Sequence, residues 1–224
     1  MLKIKIPNVC EIEQRYAIEI LLGEFLGLTF SIEIYDGDVI EIIKAEDKNK
    51  FSKLTLNASF FFKAHNYWLK TDSMPFLPLL NWRPADDGIN SNLVSQTIPV
   101  LYGSPGIEKN GENIHLNVDI FGSVFFMLSR YEELIVNKRD KHDRFPANAS
   151  VAFKANFLDR PIVNEYLEIL WSCLSSKWND LNRKKLKGSN FITCDLDTPF
   201  DPSLNFFKYA LKKSFNLFLE KKIF

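Results

Sequence analysis

The chain has 224 residues and a mass of 26.0 kDa, with 46% hydrophobic and 25% charged residues. That balance excludes a disordered chain, a collagen-like chain and a coiled coil. With 28 basic and 28 acidic residues the formal net charge is zero, which argues against a basic groove for nucleic acid. The length allows one large domain, or one domain plus part of another. Twenty Phe against nine Gly supply large rings for a core. Cys10, Cys173 and Cys194 show no C-x-x-C spacing, so neither a disulfide framework nor a structural zinc site is expected.

The start, M-L-K-I-K-I-P-N, lacks the apolar core of a signal peptide. The most apolar stretch, 18–30, is interrupted by Glu19 and Glu24 and is not expected to span a bilayer. A soluble, cytoplasmic protein is therefore the expectation. Residues 2–6 alternate like a strand. Ile12, Tyr16, Ile20, Leu21 and Phe25 predict a helix over 11–26, stopped by Gly27. Residues 31–34 and 39–43 read as strands, with Asp36-Gly37 signalling a hairpin between them. Residues 54–62 read as a further strand or an edge of one.

From 66 to 104 the chain carries Pro75, Pro78, Pro84 and Pro99, with an Asp86-Asp87-Gly88 turn. Short strands are expected within it, one at 99–102, and another follows at 114–118. Asp119 is placed to cap an apolar helix over 120–135. Asp159 is placed to cap a second helix over 161–178, with Pro161 in its first turn. The basic run N-R-K-K-L-K-G (182–188) reads as a surface linker. Beyond it, 191–194 reads as a strand and 195–201 as a loop. Asp201-Pro202 then opens a helix carrying Leu204, Phe207, Leu211, Phe215 and Phe218.

The sharpest chemical signal is T-C-D-L-D-T-P (193–199). On an extended backbone Asp195 and Asp197 project together, at the carboxyl end of a strand, where α/β sites are built. Two carboxylates there share a proton or a cation, and oxygen ligands suit Mg, Mn or Ca. Two acids at a loop start are also ordinary turn and cap residues. A D-x-D pair occurs in haloacid-dehalogenase-type phosphatases, though Pro199 stands where their Thr belongs. It also occurs in nucleotide-sugar transferases and in polysaccharide deacetylases.

Four segments together resemble a bacterial polysaccharide deacetylase-like family: 119–133 (D-I-F-G-S-V-F-F-M-L-S-R-Y-E-E), 139–147 (R-D-K-H-D-R-F-P-A), 157–166 (F-L-D-R-P-I-V-N-E-Y) and 191–199 (F-I-T-C-D-L-D-T-P). Members carry an amino-terminal region of unassigned role ahead of a deacetylase domain, a distorted (β/α) barrel. The resemblance implies that Asp195 is the general base that activates water and that Asp197 is a ligand of a divalent metal, zinc or similar. Cys194 stands where the family often has His. The family's two further metal-binding histidines have no counterpart here, since His65, His115 and His142 all precede Asp195.

The other charged cluster, Arg130 to Glu133 with Arg139 to Arg144, reads as a set of ion pairs, or as a sugar- or phosphate-binding face. The three histidines read as ordinary loop or strand residues. Trp68 and Trp82, in the proline-rich region, read as packing residues or as platforms for sugar rings.

The expected fold class is α+β, a mixed sheet packed by helices, followed by the first βα unit of an incomplete (β/α) barrel. The expected organisation is an amino-terminal accessory domain over 1–181, a linker over 182–188 and the start of a deacetylase-like barrel over 189–224. The expected function is the amino-terminal region of a polysaccharide deacetylase-like protein of cell-surface glycan metabolism, without metal-dependent activity in this chain. The alternatives are a non-catalytic glycan- or protein-binding module and a D-x-D transferase or phosphatase fragment. The expected partners are a glycan or glycan precursor, and self-association through an open sheet edge.

Overall fold

The computed structural model describes residues 1–45, 52–185, 188, 190–195, 208 and 210–215. Contacts divide the chain into two compact units, Met1–Lys185 and Leu186–Phe224.

The first unit is α+β. Its strands are β1 (Leu2–Pro7), β2 (Phe30–Tyr35), β3 (Val39–Lys44), β4 (Lys53–Asn57), β5 (Leu80–Trp82), β6 (Ile98–Val100), β7 (Gly103–Asn110) and β8 (Asn113–Val118). Its α-helices are α1 (Glu11–Ile18), α2 (Ser59–Tyr67), α3 (Ile120–Leu128), α4 (Glu132–Ile135), α5 (Val151–Lys154) and α6 (Ile162–Lys177). Six strands form a mixed sheet in the order β2-β1-β3-β4-β8-β7, and β5 pairs with β6 in a separate ribbon. β1, β2, β4 and β8 run one way, and β3 and β7 run the other.

The alternation in these strands sends one set of side chains to each face. Leu2, Ile4, Ile6, Ile40, Ile42, Leu54, Leu56, Leu116 and Val118 are buried in the core. The opposite set includes one row across all six strands: Glu33, Lys5, Glu41, Thr55, His115 and Glu108. Lys53 pairs with Glu41 on this face and Lys3 with Glu33, while Thr55 Oγ1 lies 2.8 Å from His115 Nδ1.

Asp36-Gly37 does not close a hairpin. β1 lies between β2 and β3, so the short loop steps over the end of β1, and Tyr35 OH donates to Val39 O at 2.6 Å to hold it. Apolar Ile4 and Ile6 give β1 a buried face with neighbours on both sides. The strand expected over 54–62 stops at Asn57, and Phe60 to Phe62 belong to α2. That helix buries Phe60 and Phe61 side by side, which strand alternation would not allow.

The first helix also differs from its expected face. After α1 the chain continues as a π-helical segment over Glu19–Phe25, with Leu26 N donating to Leu21 O at 3.1 Å. These wider turns carry the buried line through Gln14, Ala17, Ile18, Leu21, Leu22 and Leu26, leaving Ile12 78% exposed. Gln14 Nε2 donates to the carbonyls of Pro7 and Val9 at the corner between β1 and α1. Gly27, at φ 67°, ends the helix as expected.

The helix expected over 120–135 is two, because Arg130 takes φ 54° between α3 and α4. The break turns Tyr131 inward, where its hydroxyl accepts Leu69 N at 2.7 Å. Asp159 does not cap α6; Pro161 precedes the first turn and the Asp159 side chain makes no cap. Instead Arg160 pairs with the buried Glu165 at 2.8 Å, and these two side chains hold Thr97 O and Val94 N of the 90–97 segment. β7 was not foreseen, since G-S-P-G-I-E-K-N reads as turn chemistry.

Arg183 and Lys184, inside the basic run, belong to the first unit. Arg183 pairs with Glu168 at 2.7 Å, and Lys184 N donates to Leu26 O at 2.8 Å. In the second unit, residues 190–195 form no strand, and the described part of the later helix is Lys208 and 210–215. A strand exists through pairing, and among the described residues nothing pairs with 191–194. No helix among the described residues is long and apolar enough to cross a membrane.

The order of the helices rests on Asp119. Its carboxylate, fully buried, accepts Gly122 N at the start of α3 and Phe60 N at the start of α2, each at 2.8 Å. Burial, the largest cause, pushes its carboxyl from 3.8 up to about 7, against the pull of the Phe60 and Gly122 N–H groups and the Ser59 side chain. Asp119→Ala leaves two buried N–H groups without their acceptor and costs about 2–4 kcal/mol. The folded protein binds this proton more tightly than the unfolded chain. Asp119's contribution to stability therefore falls as pH rises from about 4 to about 7 and is level above that. Denaturant titrations of native protein and Asp119→Asn at pH 5 and pH 8 check this. The native protein gains on the variant at pH 5, and an equal gap at both would contradict the buried charge.

Candidate functional site

β4 and β8 are adjacent and parallel, and helices α2 and α3 begin just beyond their carboxyl ends. In α/β sheets this edge is the usual place for a ligand. A cleft of about 410 Å³ opens here, lined by Asn57 at the end of β4, Ser59 and Lys63 of α2, Phe76, Pro78 and Leu80 of the following segment, and the 100–104 turn.

Each wall has a local cause. Asn57 and Ser59 are placed by the short step from β4 into α2, fixed by the Asp119 bond to Phe60 N. Lys63 is one turn after Ser59 on the same side of the helix. Tyr102 forms the inner wall. It is buried among Phe60 and Phe126, with ring centroids 5.0 and 5.6 Å away, and its hydroxyl donates to Ser73 O at 2.8 Å. Burial, helped by the charge of Asp119, holds that phenol well above its usual range, so it stays protonated. Tyr166 of α6 braces the approach to the turn. Its hydroxyl donates to Pro99 O at 2.6 Å and accepts Leu101 N at 3.2 Å.

The outer wall is apolar and exposed: Phe76 is 86% exposed and Leu80 58%. Lys63 Nζ stands 5.8 Å from the centroid of the Tyr102 ring. The exposed Phe76 ring shares the cleft with the Asn57 amide, the Ser104 hydroxyl and the Lys63 ammonium, a lining that suits a ligand with one apolar and one polar face.

The residues singled out from the sequence fare differently. Asp195 is exposed in the irregular 190–195 segment, and Asp197 lies outside the described residues. Cys194 is an exposed free thiol. His65 lies on α2, not in a strand, His115 on β8, and His142 in an exposed loop. Among the described residues no group of three or more His, Cys, Asp or Glu side chains could hold a metal ion.

The arginine cluster is structural. Arg130 binds Glu133 through two nitrogens at 2.5 Å, Arg144 pairs with Asp140 at 3.1 Å, and Arg139 donates to the carbonyls of Glu133, Val136 and Lys138. Trp82 is only 4% exposed and donates Nε1–H to Asp87 at 2.7 Å, so it is no sugar platform. Trp171 is half-buried under the Arg183 guanidinium at 5.5 Å. Trp68 is 44% exposed and leans on Tyr131 and Phe125 at 5.3 and 6.5 Å between centroids.

The sequence reading missed the cleft entirely. Its walls come from positions spread over 57–104, and only the exposed Phe76 within D-S-M-P-F-L-P could have drawn attention.

The model of a family of unknown function, DUF7033, matches residues 2–179, which includes every residue of the cleft and excludes Asp195 and Asp197. No curated protein and no solved structure matches the chain.

Phe76 and Tyr102 part company in their effects on folding. Phe76→Ala leaves stability within about 0.5 kcal/mol of native, because the ring touches little. Tyr102→Phe costs about 1 kcal/mol through the lost bond to Ser73 O. Thermal unfolding of both variants checks the contrast, and a large loss in Phe76→Ala would mean that the ring is packed.

Proposed function

The chain belongs to the DUF7033 family, and we propose that here the family domain binds glycan as the accessory region of a polysaccharide deacetylase-like protein of cell-surface glycan metabolism. The observation that carries this reading is the open cleft whose lining combines the exposed Phe76 ring with Asn57, Ser104 and Lys63. A pyranose presents an apolar face for such a ring and equatorial hydroxyls for such polar groups.

The resemblance of residues 119–133, 139–147, 157–166 and 191–199 to deacetylase-like proteins supplies the wider setting. In that setting the stretch 189–224 is the start of a deacetylase-like (β/α) barrel domain. Asp195 is its general base and Asp197 a ligand of a divalent metal, zinc or similar. The chemistry proposed for the 224-residue chain is binding at the cleft of the first unit.

Calorimetric titration of neutral and acidic oligosaccharides tests the reading. At least one is expected to bind, with affinity reduced about tenfold in Phe76→Ala, the value of one aromatic contact. Asp195→Asn and Asp197→Asn are expected to bind as the native chain does. Silence across the whole panel, or undiminished binding by Phe76→Ala, would reject it. No N-deacetylation of an N-acetylglucosamine tetramer is expected from this chain with added zinc, and a robust metal-dependent rate would overturn the assignment to binding.

A further inference from the structure

Four surface clefts of the first unit each hold one cation. In three of them the charge is already answered. Arg83 pairs with Asp86 at 3.6 Å, Arg183 pairs with Glu168 at 2.7 Å, and Lys109 donates to Asp87 O at 3.3 Å. The fourth is Lys63. It is half-buried, it lines the Phe76 cleft, and its one neighbour of opposite polarity is the face of the Tyr102 ring. Among the described residues no carboxylate lines that cleft or pairs with Lys63. The buried acid at the start of α2, Asp119, gives both oxygens to the N–H groups of Phe60 and Gly122.

The Lys63 side chain is half-buried, and its ammonium has a cation–π contact but no counter-ion among the described residues. An oxyanion delivered by a ligand restores what is missing, with a charge-assisted hydrogen bond in a setting partly shielded from water. The ring edge beyond it has a place against Phe76, and its hydroxyls have partners in Asn57 and Ser104.

We propose that the cleft selects an acidic sugar, a glycan unit bearing a carboxylate or a phosphate, with Lys63 as the residue that reads the negative charge. This rests on the glycan-binding reading of the same cleft. Selection follows from the single uncompensated cation: a neutral sugar offers Lys63 a hydroxyl, and an acidic one offers it a counter-charge. Added salt weakens the acidic ligand and hardly touches the neutral one.

The test is an NMR titration of the full 224-residue chain with glucuronic acid, glucose 6-phosphate, glucose and inorganic phosphate. Glucuronic acid, glucose 6-phosphate or both are expected to shift the signals of Ser59, Lys63 and Tyr102, and to bind roughly tenfold more tightly than glucose. Which of the two does so identifies the oxyanion. Lys63→Gln is expected to bring the acidic sugars down to the affinity of glucose at an unchanged thermal midpoint, and Lys63→Arg to keep the preference. Glucose binding as tightly as both charged sugars, or a preference that survives Lys63→Gln, would overturn the role of Lys63 and leave glycan binding standing. Inorganic phosphate matching glucose 6-phosphate, with no response to glucuronic acid or glucose, would overturn sugar recognition itself. No response to any of the four would overturn both.

Discussion

Asp119 accepts the first free N–H groups of α2 and α3 with its two carboxylate oxygens, so both helices start from one buried side chain. A helix start normally needs its own capping group, and here the residue after β8 supplies one acid for two. The shared cap fixes α2 against α3, and it therefore fixes Phe60, whose ring meets Phe61, Tyr102, Phe125, Phe126 and Tyr131. The aromatic core and the helix starts are thus one arrangement. The carboxylate has no cation beside it; two N–H groups and the positive ends of two helices stand in for one.

The cleft inherits its rigidity from this arrangement. Its inner wall, Tyr102, is held by the same aromatic cluster, and Asn57, Ser59 and Lys63 stand on the short step from β4 into α2 that the Asp119 bond fixes. The 100–104 turn is braced from the far side by Tyr166 of α6. The outer wall at Phe76, Pro78 and Leu80 lacks comparable packing, as the exposure of Phe76 and Leu80 records. A firm polar floor with an apolar rim is a reasonable build for a ligand that is itself amphipathic.

Much of the fold could be read from residue order. Strands with clean alternation, such as L-K-I-K-I and N-I-H-L-N-V, were evident, and so was the cap at Asp119, where an acid precedes a long apolar run. The misreadings came from places where distance overrides neighbours. Asp36-Gly37 signals a turn, but no local pattern says that β1 will occupy the space between the two strands it joins. The stretch from Leu54 to Phe62 keeps apolar residues to its end, and the pairing of β4 with β3 and β8 decides where the strand stops. β7 carries two glycines and a proline, and it is a strand because β8 offers it a partner. The candidate site was less legible still. Asp195 and Asp197 formed a compact motif, whereas the cleft is assembled from single residues of several elements, each ordinary in its own context.

Gly122 shows how narrow the tolerance at the shared cap is. A Cβ there would collide with the Asp119 carboxylate and with Phe60 Cβ, so even alanine would have to displace the acid from the α3 start. The Phe60 and Gly122 amides are consequently locked by one group, though sixty-two positions separate them in the chain. In hydrogen exchange the two amides belong to one opening event. Solvent reaches either of them when the carboxylate leaves, and its departure frees α2 and α3 together. Helices from distant stretches of sequence thereby form a single cooperative unit, and the floor of the cleft opens with it.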